Sequence, residues 1–467
     1  MVFSSVDFLF LFLPCILFGY YLLFYKSRTL QNIFLFVGSL LFYAWGEPKI
    51  VFIMLLSIAV NWALGLLAES YGGNKRKLKI IYLAAGMFNF GLLFIFKYLN
   101  FTYDGIKHLF SLKYEMGHIA LPIGISFFSF QAFSYVIDIG RGQVKARKNP
   151  VYTGLYISFF PQLIAGPIVR YGDIADQLQN RKENFEDFSN GVLRFLRGLF
   201  KKVFLANTLA LVADEAFGFG RPSLSFAWFG ALAYALQIFY DFSAYSDMAL
   251  GLGLMFGFKL PENFDYPYSA KSVSDFWRRW HMTLGTWFRD YVYIPLGGSR
   301  VSKKSRLVFN LFVVWFLTGL WHGADWTFIL WGLFYFVLIS FEKLTAFEKR
   351  TKNHTLIKRV YTLFLVLAAW VLFRAESPAA ALEYYKAMFC PTEAFFDTAF
   401  FFNLKNYGAA LVFGLYFAFP KKGKLTDKIE SLHLYEGLRA GAYAILFLFA
   451  LSYIVKGTYN PFIYFNF

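Results

Sequence analysis

Apolar stretches long enough to cross a bilayer recur along this chain, and no other feature limits its possible folds so severely. Val6–Phe24, Leu30–Trp45, Ile50–Leu67 and Ile80–Leu99 follow one another with only short polar breaks. A helix needs roughly 20 apolar residues to cover the hydrocarbon core. In lipid, only helices and closed barrels pair every backbone N–H and C=O internally. Of the 467 residues, 58% are hydrophobic and 16% charged, where soluble chains carry about a quarter charged. The mean hydropathy is +0.47. The expected class is all-α, a polytopic integral membrane helical bundle. The N-terminus has no basic leader and no small-residue cleavage site, so Val6–Phe24 is expected to be a retained span rather than a cleaved signal.

The formal charge is +17, from 46 Lys and Arg against 29 Asp and Glu. The basic residues gather at Lys26/Arg28, Lys75-Arg76-Lys77, Lys145–Lys148 and Lys349–Lys352. Clusters of this kind between spans set orientation and meet anionic headgroups. They put the N-terminus and the loop Gly46-Glu47-Pro48 outside, with membrane lipid as the partner. No base-stacking residues interleave with the clusters in a polar domain, so no nucleic-acid partner is expected.

Past Leu99 the pattern is less regular. Ile119–Ile139 is interrupted by Pro122 and Gly124, and Tyr152–Ile168 by Pro161, Gly166 and Pro167. Interrupted segments suggest re-entrant or broken helices buried in protein or lining a cavity. Tyr171–Lys202 is the most polar stretch, and the amphipathic run VLRFLRGLFKKVF at its end suits the interface plane. Spans are expected at Val203–Ala216, Leu224–Tyr240 and Met248–Phe258. After a polar island, Lys259–Arg306, they resume at Leu307–Trp321, Trp326–Phe341, Val360–Phe373, Ala409–Phe419 and Ala442–Val455. The total is roughly eleven to thirteen spanning or re-entrant segments, in a single integral membrane domain without duplicated halves.

The polar island holds the chemistry. SDFWRRWHMTLGTWFRDYVYIPLGGSR begins at Ser274, and LWHGADW follows at Leu320. Ionisable residues in an oily chain mark function by default. Of the six histidines, His108, His118, His354 and His433 lie in or beside polar loops and are set aside. His322 ends one apolar run just before the next. An imidazole with an ordinary pKa of about 6.5 takes a proton at neutral pH with little tuning. Gly323 and Ala324 would let a substrate approach closely. Asp325 serves either as an orienting carboxylate or as the cap of the next helix. If Ser274–Thr286 is helical, His281 shares a face with Arg278 and Trp277, and the arginine would disfavour the imidazolium. Alternatively, Arg278 and Arg279 hold headgroups and His281 merely caps the cluster.

Between apolar spans, Tyr240–Asp247 brings in Asp241, Ser243 and Asp247, which must line an aqueous cavity or pair with arginines. Arg289 sits beside Asp290 in the same way. Gly251 and Gly253 suit close helix packing. The two cysteines, Cys15 and Cys390, are far apart and imply neither a disulfide framework nor a metal site. No G-x-S-x-G, Walker A, H-E-x-x-H or G-x-G-x-x-G motif occurs.

Three runs, YDFSAYSDMALGLGLMFGFKLPENFDYPY, SVSDFWRRWHMTLGTWFRDYVYIPLGGSR and LTGLWHGADWTFILWG, resemble those of the bacterial membrane-bound O-acyltransferases. PIGISFFSFQAFSYVIDIGRG and AGPIVR add to the likeness, which spans Pro122–Phe341 and is strongest to the alginate and peptidoglycan O-acetyltransferase branch. The D-alanyl transferases of teichoic acid are more distant. The resemblance implies a bundle around a central funnel, with His322 as the catalytic histidine and His281 as its companion. Trp321, Asp241, Ser243, Asp247, Arg278, Arg279 and Arg289 are the candidate substrate-binding residues. It implies acetyl-CoA or a related acyl thioester as donor, with no metal and no tightly bound cofactor. It further implies a polysaccharide acceptor, an extracytoplasmic partner of the SGNH esterase type, and the bacterial cytoplasmic membrane. D-alanyl transfer from a carrier protein stays open, as do a transporter with a histidine proton path and a scaffold.

Overall fold

The computed structural model describes residues 1–117, 119–351, 353–390, 394–420, 435–457, 461 and 463; His118 and His433 lie outside them. Every regular element among these residues is helical. Contacts divide the chain into two compact units, Met1–Phe195 with Tyr245–Pro261, and Leu196–Ala244 with Glu262–Phe467.

The first unit opens with α1 (Phe8–Leu23), α2 (Arg28–Gly46), α3 (Val51–Ser70) and α4 (Lys75–Phe110). Ser27 and Asn74 cap α2 and α4, each accepting a backbone N–H from the first turn. These two caps stand where the sequence places its first loops. Next come α5 (Ile125–Gly140), which packs on α3 and α4, and α6 (Pro150–Ser158), which packs on α2 and α3. Gly124 precedes α5 at φ +76°, a left-handed conformation open to glycine, and so delays the helix start from Ile119. Between α3 and α4, Asn61 and Asn89 exchange side-chain hydrogen bonds of 3.1 and 2.7 Å in an otherwise apolar contact. Gly251 packs as the sequence suggests: a Cβ there would lie 2.6 Å from the Gly191 carbonyl oxygen.

The helices α7 (Phe185–Phe200), α8 (Asn207–Gly218) and α9 (Leu224–Met255) follow. Two separate spans, Leu224–Tyr240 and Met248–Phe258, are expected from the sequence; α9 instead runs unbroken through the polar Tyr240–Asp247 stretch. The reason is local compensation. In the second unit Asp241 accepts Lys202 Nζ at 2.6 Å and the Ile463 N–H at 2.8 Å. In the first, Asp247 accepts Arg194 Nε at 3.1 Å. Carboxylates with partners do not force the backbone open to water.

The second unit continues with α10 (Val273–Trp277), α11 (Met282–Phe288), α12 (Lys304–His322), α13 (Trp326–Leu344) and α14 (Thr355–Arg374). Among the described residues, the last three helices are α15 (Pro378–Phe389), α16 (Thr398–Phe417) and α17 (Tyr435–Val455). Helices α12 and α13 form a tight hairpin. A Cβ on Gly332 would lie 2.4 Å from the Trp315 carbonyl oxygen, and one on Gly319 2.6 Å from that of Phe328. Small residues thus let the two backbones touch, as in membrane helix pairs. By length and composition, six helices among the described residues suffice to cross a membrane, α2, α3, α4, α13, α14 and most of α17 among them. The chain is a multi-pass membrane protein.

Candidate active site

His322 is the last residue of α12, and Gly323 leaves the helix in an extended conformation. Its side chain is 3% exposed. Three aromatic rings enclose the imidazole edge to face, Trp321 at 5.0 Å, Trp331 of α13 at 4.9 Å and Phe373 of α14 at 5.3 Å between centroids. The imidazole stands at the C-terminal end of α12, where the helix dipole is negative.

The sequence reading gave Gly323 the task of admitting a substrate. The structure gives it another: a Cβ there would lie 2.1 Å from the Phe328 ring, so the missing side chain makes room for phenylalanine. Asp325 resolves to the capping role, accepting the Thr327 N–H at 3.0 Å at the start of α13.

His281 departs from the helical expectation for Ser274–Thr286. The chain breaks between α10 and α11, and His281 sits in the break at φ +45°, ψ +52°. A left-handed non-glycine residue costs about 1–3 kcal/mol unless its surroundings impose it. Two buttresses do so here. Glu342 of α13 accepts the Val273 N–H at 2.7 Å and the Ser274 N–H at 2.8 Å, closing the N-terminus of α10. Asn263 accepts the Met282 N–H on its backbone oxygen at 3.0 Å. Its side-chain oxygen accepts the Thr283 N–H at 3.2 Å and Thr283 Oγ1 at 2.9 Å, and lies 3.1 Å from His281 Nδ1.

The Arg278–His281 pairing does not form, because the break turns the two side chains apart. Arg278 donates to Glu348 at 2.6 Å, while the His281 imidazole is 1% exposed against Phe242 at 4.6 Å and Trp321 at 5.7 Å. Burial, not an arginine, pushes its pKa down, to about 3. His281 is therefore neutral at ordinary pH.

Trp321 thus touches both histidine rings. All the other candidate substrate-binding residues except Ser243 have protein partners. Arg279 engages Asp265 at 3.0 Å and Asp275 at 3.1 Å, and Arg289 engages Asp290 at 2.7 Å. Asp241 is held by Lys202, and Asp247, in the first unit, by Arg194. Ser243 is buried beside Phe242, its Oγ without a hydrogen-bond partner among the described residues. Sequence reasoning missed Asn263 and Glu342. Asn263 lay in plain view in PENFDYPY, a polar residue at the edge of the island. Glu342 gave no local signal, because it acts on a helix far away in sequence.

The profile of the membrane-bound O-acyltransferase family matches residues 147–377. The chain is 42% identical to the probable alginate O-acetylase of Pseudomonas putida, over 83% of its own length and 80% of the relative's. It is 37% identical to the peptidoglycan O-acetyltransferase of Helicobacter pylori, over 83% and 80%. With the teichoic acid D-alanyltransferase of Bacillus subtilis it shares 30% identity over 54% and 69%.

Proposed function

This chain belongs to the membrane-bound O-acyltransferase family, and from that premise we propose that it moves an acetyl group from a cytoplasmic thioester, acetyl-CoA or a relative of it, to a hydroxyl outside the cytoplasmic membrane. It is an O-acyltransferase. The acceptor in this reading is a bacterial polysaccharide, or an SGNH-type partner that relays the group. Higher identity and coverage with the O-acetyl-transferring relatives than with the D-alanyl ones favour acetyl. Labelled acetyl-CoA and a labelled D-alanyl carrier protein, offered in turn to the purified chain, separate the two donors.

The observation that carries the mechanism is the pair of buried imidazoles on one indole, His322 and His281 on Trp321. A thioester is already activated, so the protein has to deprotonate a hydroxyl and steady the charge that develops. His322 takes the proton as the acceptor oxygen attacks the thioester carbonyl carbon. The C–S bond then breaks, and His322 returns the proton to the leaving thiolate. A positioned base contributes about a hundred- to ten-thousand-fold, and the C-terminal end of α12 stabilises the transient imidazolium by about 0.3–1 kcal/mol. His281, neutral, orients or relays.

The test is His322→Ala with expression matched to wild type by immunoblot. Loss of base-labile acetyl ester from the cell's polysaccharide, by at least about a hundred-fold, is the expected result. Full retention would remove His322 from the mechanism.

A further inference from the structure

The hydrogen bonds around Asn263 fix more than a loop. A backbone N–H can only donate, so the Asn263 atom that meets the Thr283 N–H at 3.2 Å must be the amide oxygen rather than the nitrogen. That same oxygen lies 3.1 Å from His281 Nδ1. An amide oxygen only accepts, so Nδ1 must bring the hydrogen. We propose that Asn263 is a positioning residue that locks the proton of His281 on Nδ1, leaving Nε2 as the ring's acceptor nitrogen for the acyl transfer. The inference rests on the part given to His281 above.

Several details fit this role. The Thr283 hydroxyl also donates to the amide oxygen, at 2.9 Å, so that oxygen is held from a second direction. The backbone of Asn263 accepts the Met282 N–H, tying the residue to both sides of the strained His281 position. Phe242 of α9 and Trp321 of α12 close on the ring from the packed helices. The charged residues nearest in sequence are engaged elsewhere, Arg278 and Arg279 by Glu348, Asp275 and Asp265, and Asp241 by Lys202. A histidine whose tautomer is set by what its other nitrogen binds is a recurrent device at sites that move protons.

The measurement is 15N NMR of the full chain, labelled with 15N-histidine and reconstituted in lipid vesicles. The His281 signal is identified as the one lost in His281→Gln. In the wild type it is expected as a neutral ring protonated at Nδ1. Asn263→Asp keeps every acceptor that Thr283 and His281 use but adds a negative charge, so its imidazolium should appear at a pH higher by about one unit or more. A wild-type ring protonated at Nε2, or an Asn263→Asp titration that superposes on the wild type, overturns the proposal. The reading beneath it is tested apart. If His281→Ala transfers acetyl from acetyl-CoA as well as wild type, His281 has no part in the reaction, whatever its tautomer.

Discussion

At position 323 a single hydrogen atom decides how His322 is framed. Gly323→Ala would drive a methyl group into the Phe328 ring, which packs on Phe373, itself against the imidazole. Overpacking of this kind costs about 1–3 kcal/mol. We expect Gly323→Ala to lower both the melting temperature in detergent and acetyl transfer, and Phe328→Leu in the same chain to restore part of each. His281 makes a separate prediction about acid. Its folded pKa is held near 3, below the ordinary 6.5, so the unfolded chain binds the proton more readily. Stability from this residue is complete above about pH 6.5 and is lost as pH falls from there toward 3. Thermal melts across that window should fall more steeply for wild type than for His281→Gln. Equal slopes would mean that burial of the imidazole is not what sets its charge.

Among the elements, α10 shows how far apart in sequence a helix and its cap can be. The sequence suggested one helix over Ser274–Thr286, since nothing in SDFWRRWHMTLG breaks the pattern. Left-handed His281, held by Asn263, ends that possibility, while Glu342 takes the first two N–H groups of α10 and fixes its start. Glu342→Gln keeps one acceptor and turns an amide NH2 against the other N–H. A buried donor left without its acceptor costs about 1–3 kcal/mol. Transfer should fall, and the melting temperature with it, while Glu342→Asp, which keeps the charge on a shorter arm, should fall less. The Asn61–Asn89 exchange has the same logic for α3 and α4: reciprocal amides specify one register in a contact that leucine would leave free to slide.

On the scale of the whole chain, the buried pair Lys202–Asp241 joins three stretches that lie far apart in sequence. Asp241 stands in the middle of α9, and Lys202 lies on the turn before α8. The end of the chain closes on both: the Pro461 carbonyl accepts from Lys202, and the Ile463 N–H donates to Asp241. Removing one partner from a buried pair strands the other charge, at about 3–5 kcal/mol. Lys202→Met and Asp241→Leu should each destabilise the protein strongly, and the double variant less than the sum of the two. Deleting residues from Pro461 onward should lower the melting temperature too. Strict additivity of the two single changes would show that the pair is not coupled.

Apolar run length and basic punctuation determined by themselves that this chain is a helical membrane protein, because the energetics of lipid act on each segment separately. The positions of α2, α3, α12, α13 and α14 were legible for that reason, and so was the singularity of His322, a lone ionisable ring at the end of an apolar run. Only the tertiary structure decided that α9 runs through its carboxylates, that α10 and α11 separate, and that His281 turns to Asn263 rather than to Arg278. Each of those outcomes depends on a partner outside the local stretch, Lys202 for the first and Asn263 for the other two. A buried polar group is stable only beside its partner, and which residue comes to stand there is settled by packing, not by local sequence.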